Sequence, residues 1–200
     1  KEFGLREVII VGENSSEDGM KESLGEAAAR YLEYTIKDGN IVGVSMGSTL
    51  FEVVSHVVHP AAQKVTFVPL VGGVGRVRME LHANSLAESL SRIYDGKFVP
   101  LHAPARVSSR NIRDELLKED SLLPAIYLTQ KLDIAVVGIG YPNEKSAIMA
   151  TGYFKENEIE SLIDRKVAGE LCMQFYDIYG DTAPYKDDNN VIGMDISMLR

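Results

Sequence analysis

Three apolar, strand-like runs end in glycine-bearing turns that could hold a polar ligand: Gly47-Ser48-Thr49, Gly72-Gly73 and Gly138-Ile139-Gly140. Gly47 lets the backbone approach a ligand with no Cβ in the way. Ser48 and Thr49 offer two hydroxyls at the start of the next helix, either as caps or as ligand contacts. The first N–H groups of a helix lack intrahelical partners and carry the positive end of the dipole, so this turn suits a phosphate or carboxylate. An ordinary capped strand-to-helix turn reads the same residues equally well. His82 and His102 follow strand-like runs and could touch a ligand or simply bond to backbone. Arg76, Arg78 and Arg106 could each pair with a phosphate, and Asp177 and Asp181 could bond sugar hydroxyls or stabilise their own turn. His56 and His59 sit three apart, but a metal site there would need a third ligand, and none is in sight. No cofactor or metal is called for.

These turns need elements to position them. β-Branched runs at residues 8–12, 41–44, 65–71, 97–101 and 133–140 predict strands, with a short late strand at 191–194. Between them, helical spacing covers residues 20–36, 50–58, 84–93, 111–118, 122–130 (around Pro124) and 156–165. Residues 167–175 are apolar and ambiguous, and the polar run 181–190 is the expected mobile stretch. Near-continuous apolar strands alternating with helices predict one α/β domain, a parallel sheet covered on both faces. In such a sheet ligands bind outside the carboxyl ends of the strands. The recurrence of glycine turns on that edge points to one shared polar-ligand site.

Composition narrows the function. The chain has 200 residues, 45% hydrophobic and 25% charged, which are globular values. No apolar run reaches the ~18 residues of a membrane span. One cysteine, Cys172, excludes an internal disulfide and thiolate metal clusters, and suggests a cytoplasmic protein. A net charge of -8 argues against nucleic acid binding by this chain alone. There is no Gly-x-x-x-x-Gly-Lys-Ser/Thr phosphate loop, no Gly-x-Gly-x-x-Gly after the first strand and no Gly-x-Ser-x-Gly elbow.

Several segments, in this order, resemble the sugar-binding domain of SorC-type bacterial transcriptional regulators, a group that includes deoxyribonucleoside and central glycolytic regulators. They are the Gly47-Ser48-Thr49 turn, Val68-Pro69-Leu70-Val71-Gly72-Gly73, the Asn84 helix, Leu101-His102-Ala103-Pro104-Ala105, residues 133–140, Val167-Ala168-Gly169-Glu170 and residues 175–180. The resemblance spans nearly the whole chain. It implies a Rossmann-like three-layer sandwich related to the glucosamine-6-phosphate deaminase and ribose-5-phosphate isomerase fold. It implies an effector domain, not an enzyme, joined to an N-terminal helix-turn-helix that carries DNA binding, and a homo-oligomer (dimer or tetramer) that responds to a phosphorylated sugar. By position, Gly47, Ser48 and Thr49 would hold the phosphate, Gly72, Gly73, Asn84, Ala103 and Pro104 would lie against the sugar, Gly138, Ile139 and Gly140 would close the far side, and Asp177 would take a hydroxyl. The helix-turn-helix is absent from these residues. So is a family segment with a Gly-Gly turn and a lysine beyond residue 195. The resembling enzymes carry acids in or just after the turn that here reads Gly138-Ile139-Gly140-Tyr141, whereas this chain has none until Glu144. That argues for binding without turnover. The alternative is a sugar-phosphate isomerase or deaminase of the same fold.

Overall fold

The computed structural model describes residues 4–58, 60–75, 77–143 and 146–199. His59, Arg76 and Glu144 lie outside them.

Four parallel strands form the central sheet in the order β3-β2-β1-β4, with β1 at Ile41–Val44, β2 at Thr66–Pro69, β3 at Lys97–Phe98 and β4 at Ile134–Val136. Side chains of successive strand residues point to opposite faces. Phe67 therefore enters one core and Val68 another. Phe67 packs with α1 (Glu17–Thr35), α2 (Ser48–His56) and α3 (Ala83–Ile93) through Leu32, Val53 and Leu90. Val68 packs with Leu122 and Ala125, beside α4 (Arg110–Leu116) and α5 (Leu123–Thr129). The result is the Rossmann-like three-layer sandwich expected from the alternating pattern.

Local chemistry explains where the helices start. Ser16 caps α1 by accepting from the Gly19 N–H at 3.1 Å, with Glu17 and Asp18 favouring the positive end of the dipole. Pro124 falls in the first turn of α5, where its missing N–H costs nothing, so it begins this helix rather than interrupting it.

A smaller lobe sits beyond the carboxyl edge of the sheet. It holds a three-stranded antiparallel sheet, β5 (Ile139–Gly140), β6 (Gly169–Leu171) and β7 (Gln174–Tyr176), with α6 (Ala147–Ala150) and α7 (Glu156–Asp164). Its core joins Phe154, Ile159, Leu162, Phe175 and Tyr185 to Val71 of the main domain. The ambiguous stretch 167–175 is thus part of a β-hairpin.

Two expected strands differ. Residues 8–12 form no strand: Val8 is 65% and Ile10 89% exposed. This segment pairs with neither edge strand of the sheet, and its apolar residues Ile9 and Val11 lie instead by Leu24, Ala28 and Tyr31 of α1. Residues 191–194 are extended but antiparallel to their neighbours, bridging Val71 through Gly193 and Arg106 through Val191. No helix of the described residues is long and apolar enough to cross a membrane.

Candidate functional site

The order β3-β2-β1-β4 reverses between β1 and β4, because the chain leaves β1 for β2 on one side and returns to β4 on the other. That is the switch point where open α/β sheets leave a crevice. The Ser45 N–H still pairs with the Val136 carbonyl at 3.0 Å, and then the strands diverge. β1 turns through Met46 and Gly47 into α2, while β4 runs through Gly138 into β5 of the small lobe. A cleft opens between them, lined by Ser45, Gly47, Gly138, Thr151, Glu170 and Cys172.

Gly47 is the N-cap of α2, at φ 130° and ψ 164°, a region open essentially only to glycine. Ser48 and Thr49 were candidates for the cap, but they stand at the first two helical positions. A glycine cap contributes no side-chain bond, so the first amides of α2 keep their hydrogen-bonding capacity. The turn is anchored from outside: the Gly47 N–H donates to the Leu81 carbonyl at 3.1 Å. His82 holds that same loop through a 3.0 Å contact of its Nε2 with the Val77 carbonyl, a backbone-bonded role.

The opposite wall is the β6–β7 hairpin. Cys172 and Met173 form its turn with φ of 51° and 63°, both left-handed, and both side chains are buried. Two positive-φ residues match the right-handed twist of a two-residue hairpin. Most such turns use Asn or Gly, so these two carry strain at the cleft wall. Burial pushes the Cys172 thiol up to about 12, although a bond with Ser45 pulls the other way. It is therefore a protonated, unreactive thiol.

Glu170 lies on this wall in register with Gly140. Its Oε2 accepts from the Met173 N–H at 3.0 Å. Burial raises its carboxyl above the ordinary value, and the Met173 bond only partly offsets this. Sequence reasoning missed its role. The available signal was a lone acid inside the apolar stretch 167–173, since Glu is almost never deeply buried without a partner. The acid that the turn at 138–141 lacks thus comes from a strand paired with it.

The remaining candidates separate from the cleft. Gly72, Gly73, Ala103 and Pro104 meet one another: the Gly73 N–H donates to the Ala103 carbonyl and the Ala105 N–H to the Gly73 carbonyl, each at 2.8 Å. Asn84 spends both ends of its amide on Leu101, donating to the carbonyl at 3.1 Å and accepting from the N–H at 3.0 Å. Asp177 accepts from the Tyr179 and Asp181 N–H groups at 2.8 and 2.9 Å, which is a turn role. Ile139 is exposed on β5. Arg106 donates to the Tyr153 carbonyl at 2.9 Å and stacks on Phe154, while Arg78 faces Glu80 on the surface. His56 contacts the Glu52 carbonyl near the C-terminus of α2, and His102 is exposed.

The cleft has a free volume of about 40 Å³, well below the ~300 Å³ at which ligand pockets begin. As it stands, the space between the hairpin and the Gly47 turn is smaller than a sugar-sized molecule.

Comparison with known proteins agrees with this architecture. A family model described as "Putative sugar-binding domain" matches residues 1–200. The deoxyribonucleoside regulator of Bacillus subtilis (strain 168) is 24% identical over 203 residues, covering 100% of this chain and 64% of that protein. The sorbitol operon regulator of Klebsiella pneumoniae is 25% identical over 207 residues, with the same coverages of 100% and 64%. The chain thus spans a little under two thirds of these relatives. Among solved structures, a DeoR family transcriptional regulator from Listeria monocytogenes superposes with a TM-score of 0.87 at 26% identity, covering 99% of this chain and 78% of that one. The full-length sorbitol operon regulator SorC from Klebsiella pneumoniae does so with a TM-score of 0.86 at 24% identity, covering 100% and 64%. With its parallel sheet, its switch-point cleft and a family match along its whole length, the chain belongs to the sugar-binding domain family carried by SorC-type transcriptional regulators.

Proposed function

We propose that this chain is the effector-sensing part of a bacterial transcriptional regulator and that it binds a phosphorylated sugar in the cleft between β1 and β4. The observation that carries this reading is the start of α2, free of any side-chain cap, facing a half-buried carboxylate across one cleft. Such a site has an electropositive end for a phosphate and an accepting end for hydroxyls. In this reading Gly47, Ser48 and Thr49 hold the phosphate, and Gly138 with the Ile139–Gly140 strand forms the opposing edge. Glu170 takes sugar hydroxyls, and Gly72, Gly73, Asn84, Ala103 and Pro104 stay outside this cleft, holding the neighbouring loops. Asp177 stays in its turn.

The narrowness of the cleft supplies the sensing step. A ligand shifts an equilibrium only through unequal affinity for two states. A molecule that must part the hairpin from the Gly47 turn binds the open state alone. An attached helix-turn-helix and a dimeric or tetrameric assembly would read out that change in the cytoplasm. The named relatives are regulators, and the acidic charge of this chain leaves DNA contact to another domain.

Glu170 also sustains a second reading, since a carboxylate with raised proton affinity beside a sugar is what an aldose–ketose isomerase or deaminase would use as general base. One experiment separates the two. Calorimetric titration with a panel of sugar phosphates should find a binder, and Ser48→Ala/Thr49→Ala should weaken it about tenfold or more while leaving the fold intact. Unchanged affinity in that variant would place the phosphate elsewhere. Recovery of an isomerised or deaminated product would make the protein an enzyme.

A further inference from the structure

A second polar pocket lies away from the cleft, between α4 and the segment that follows β7. It has a volume of about 160 Å³, and Arg110, Arg113 and Lys186 line it together with Gln174 and Thr182. We propose that this pocket is an anion site that takes a phosphate group.

The three cations differ in how firmly they are held. Arg113 is the fixed one: its side chain is 19% exposed, its Nε donates to the Val191 carbonyl at 3.0 Å, and its Nη1 reaches Asp114 at 3.3 Å. A guanidinium pinned through Nε presents its remaining N–H edge in one orientation, which is the geometry that recognises phosphate oxygens. Arg110 lies three residues earlier on the same helix face, and its nearest carboxylate, on Asp114, stands 3.9 Å away. Lys186 forms no ion pair with any described residue.

Two carboxylates oppose the three cations, and Asp114 meets both arginines from outside the lining. Asp195 is the one carboxylate of the lining, and its Oδ1 is occupied by the Ser197 N–H. In a chain of net charge -8, three cations gathered on one pocket run against the overall field. A recess in which cations outnumber carboxylates concentrates a positive potential on whatever enters it. The wall is also built rather than incidental. Gln174 donates to the Met194 carbonyl at 2.7 Å and accepts from the Ile196 N–H, and Asn189 bonds Phe175 at both its amide N–H and its carbonyl. These carboxamides hold the pocket's shape through bonds to backbone and take none from the cations. The volume is about half the ~300 Å³ at which pockets for drug-sized molecules begin, which suits one phosphate group.

The pocket also borders the proposed effector site. Gln174 opens β7, directly after the Cys172–Met173 turn that walls the cleft. An anion held here grips the strand that must move when the cleft opens. The anion site itself does not depend on the proposed sugar site.

Amide NMR on the whole chain tests it. Addition of inorganic phosphate should produce saturable shifts at residues 110–113 and 182–189, and sodium chloride at equal ionic strength should not. Arg110→Ala/Lys186→Ala removes two exposed side chains without touching the bonds of Arg113, and should raise the Kd at least tenfold. Glucose 6-phosphate in place of inorganic phosphate distinguishes the sources: equal or tighter binding at these residues means a phosphate ester, weaker binding means the free ion. The proposal fails if the shifts are non-saturable, appear equally with chloride, survive the double substitution, or are confined to residues 47–51. Shifts confined to 47–51 would instead support the cleft.

Discussion

Gly47 and Gly72 both follow a strand of the same parallel sheet, and from the sequence they look alike. Their surroundings are opposite. At Gly47 the backbone sits at φ 130°, and nothing lies within 4 Å of where a Cβ would project. At Gly72 a Cβ would stand 2.5 Å from the Ala103 carbonyl oxygen and 2.7 Å from that of Pro104. The Gly72 N–H is already bonded to the Ile192 carbonyl. One glycine shapes a turn that faces open space, and the other lets two backbone segments touch. Glycine after a strand therefore marks a close backbone approach without saying whether the visitor is a ligand or the chain itself.

Substitutions can break or sharpen this contrast. Gly72→Ala should have the largest effect, about 3 kcal/mol of lost stability by urea denaturation, because the obstructing atoms are main-chain carbonyls that cannot rotate away. Gly47→Ala meets no atoms but must hold a conformation reserved for glycine. A loss of about 2 kcal/mol is expected, together with weaker sugar-phosphate binding as the turn is displaced. If Gly47→Ala proved the costlier of the two, crowding would not be what separates these glycines.

Glu170→Gln should have the smallest effect, and its sign is informative. Burial raises the folded-state pKa of Glu170 above its ordinary value of 4.5, so the folded protein binds this proton more tightly than the unfolded chain. Stability therefore falls as pH rises from about 4.5 through the raised pKa. Glutamine can still accept from the Met173 N–H and has no such titration. The variant should melt slightly higher than the parent near pH 7, with the gap closing toward pH 4.5. Parallel melting curves across that range would show that Glu170 is well solvated and not a wall of a desolvated cleft.

Much of the main domain is legible in the chain. Ile41, Val42 and Val44 announce β1 through β-branched side chains, and helical spacing announces α1, α2 and α3. The small lobe is harder to read. Its hairpin turns at Cys172 and Met173, which lack the Asn or Gly that signals such a turn, and so it merges with its apolar strands into one ambiguous run. Residues 8–12 mislead in the other direction. Their composition suits a strand, but a strand also needs a neighbour, and composition carries no information about that.

By itself the sequence determined the layered α/β architecture, through the periodicity that each element needs to bury one face, and it located the Gly47 turn as a place suited to an anion. Only the tertiary structure decided that Gly138 and Glu170 face that turn, while Gly72, Gly73, Ala103 and Pro104 meet one another and Asn84 is bonded to Leu101. The reason is that strand order is a long-range property. Which strand lies beside β1 depends on how the whole sheet packs, and that choice puts the cleft between β1 and β4.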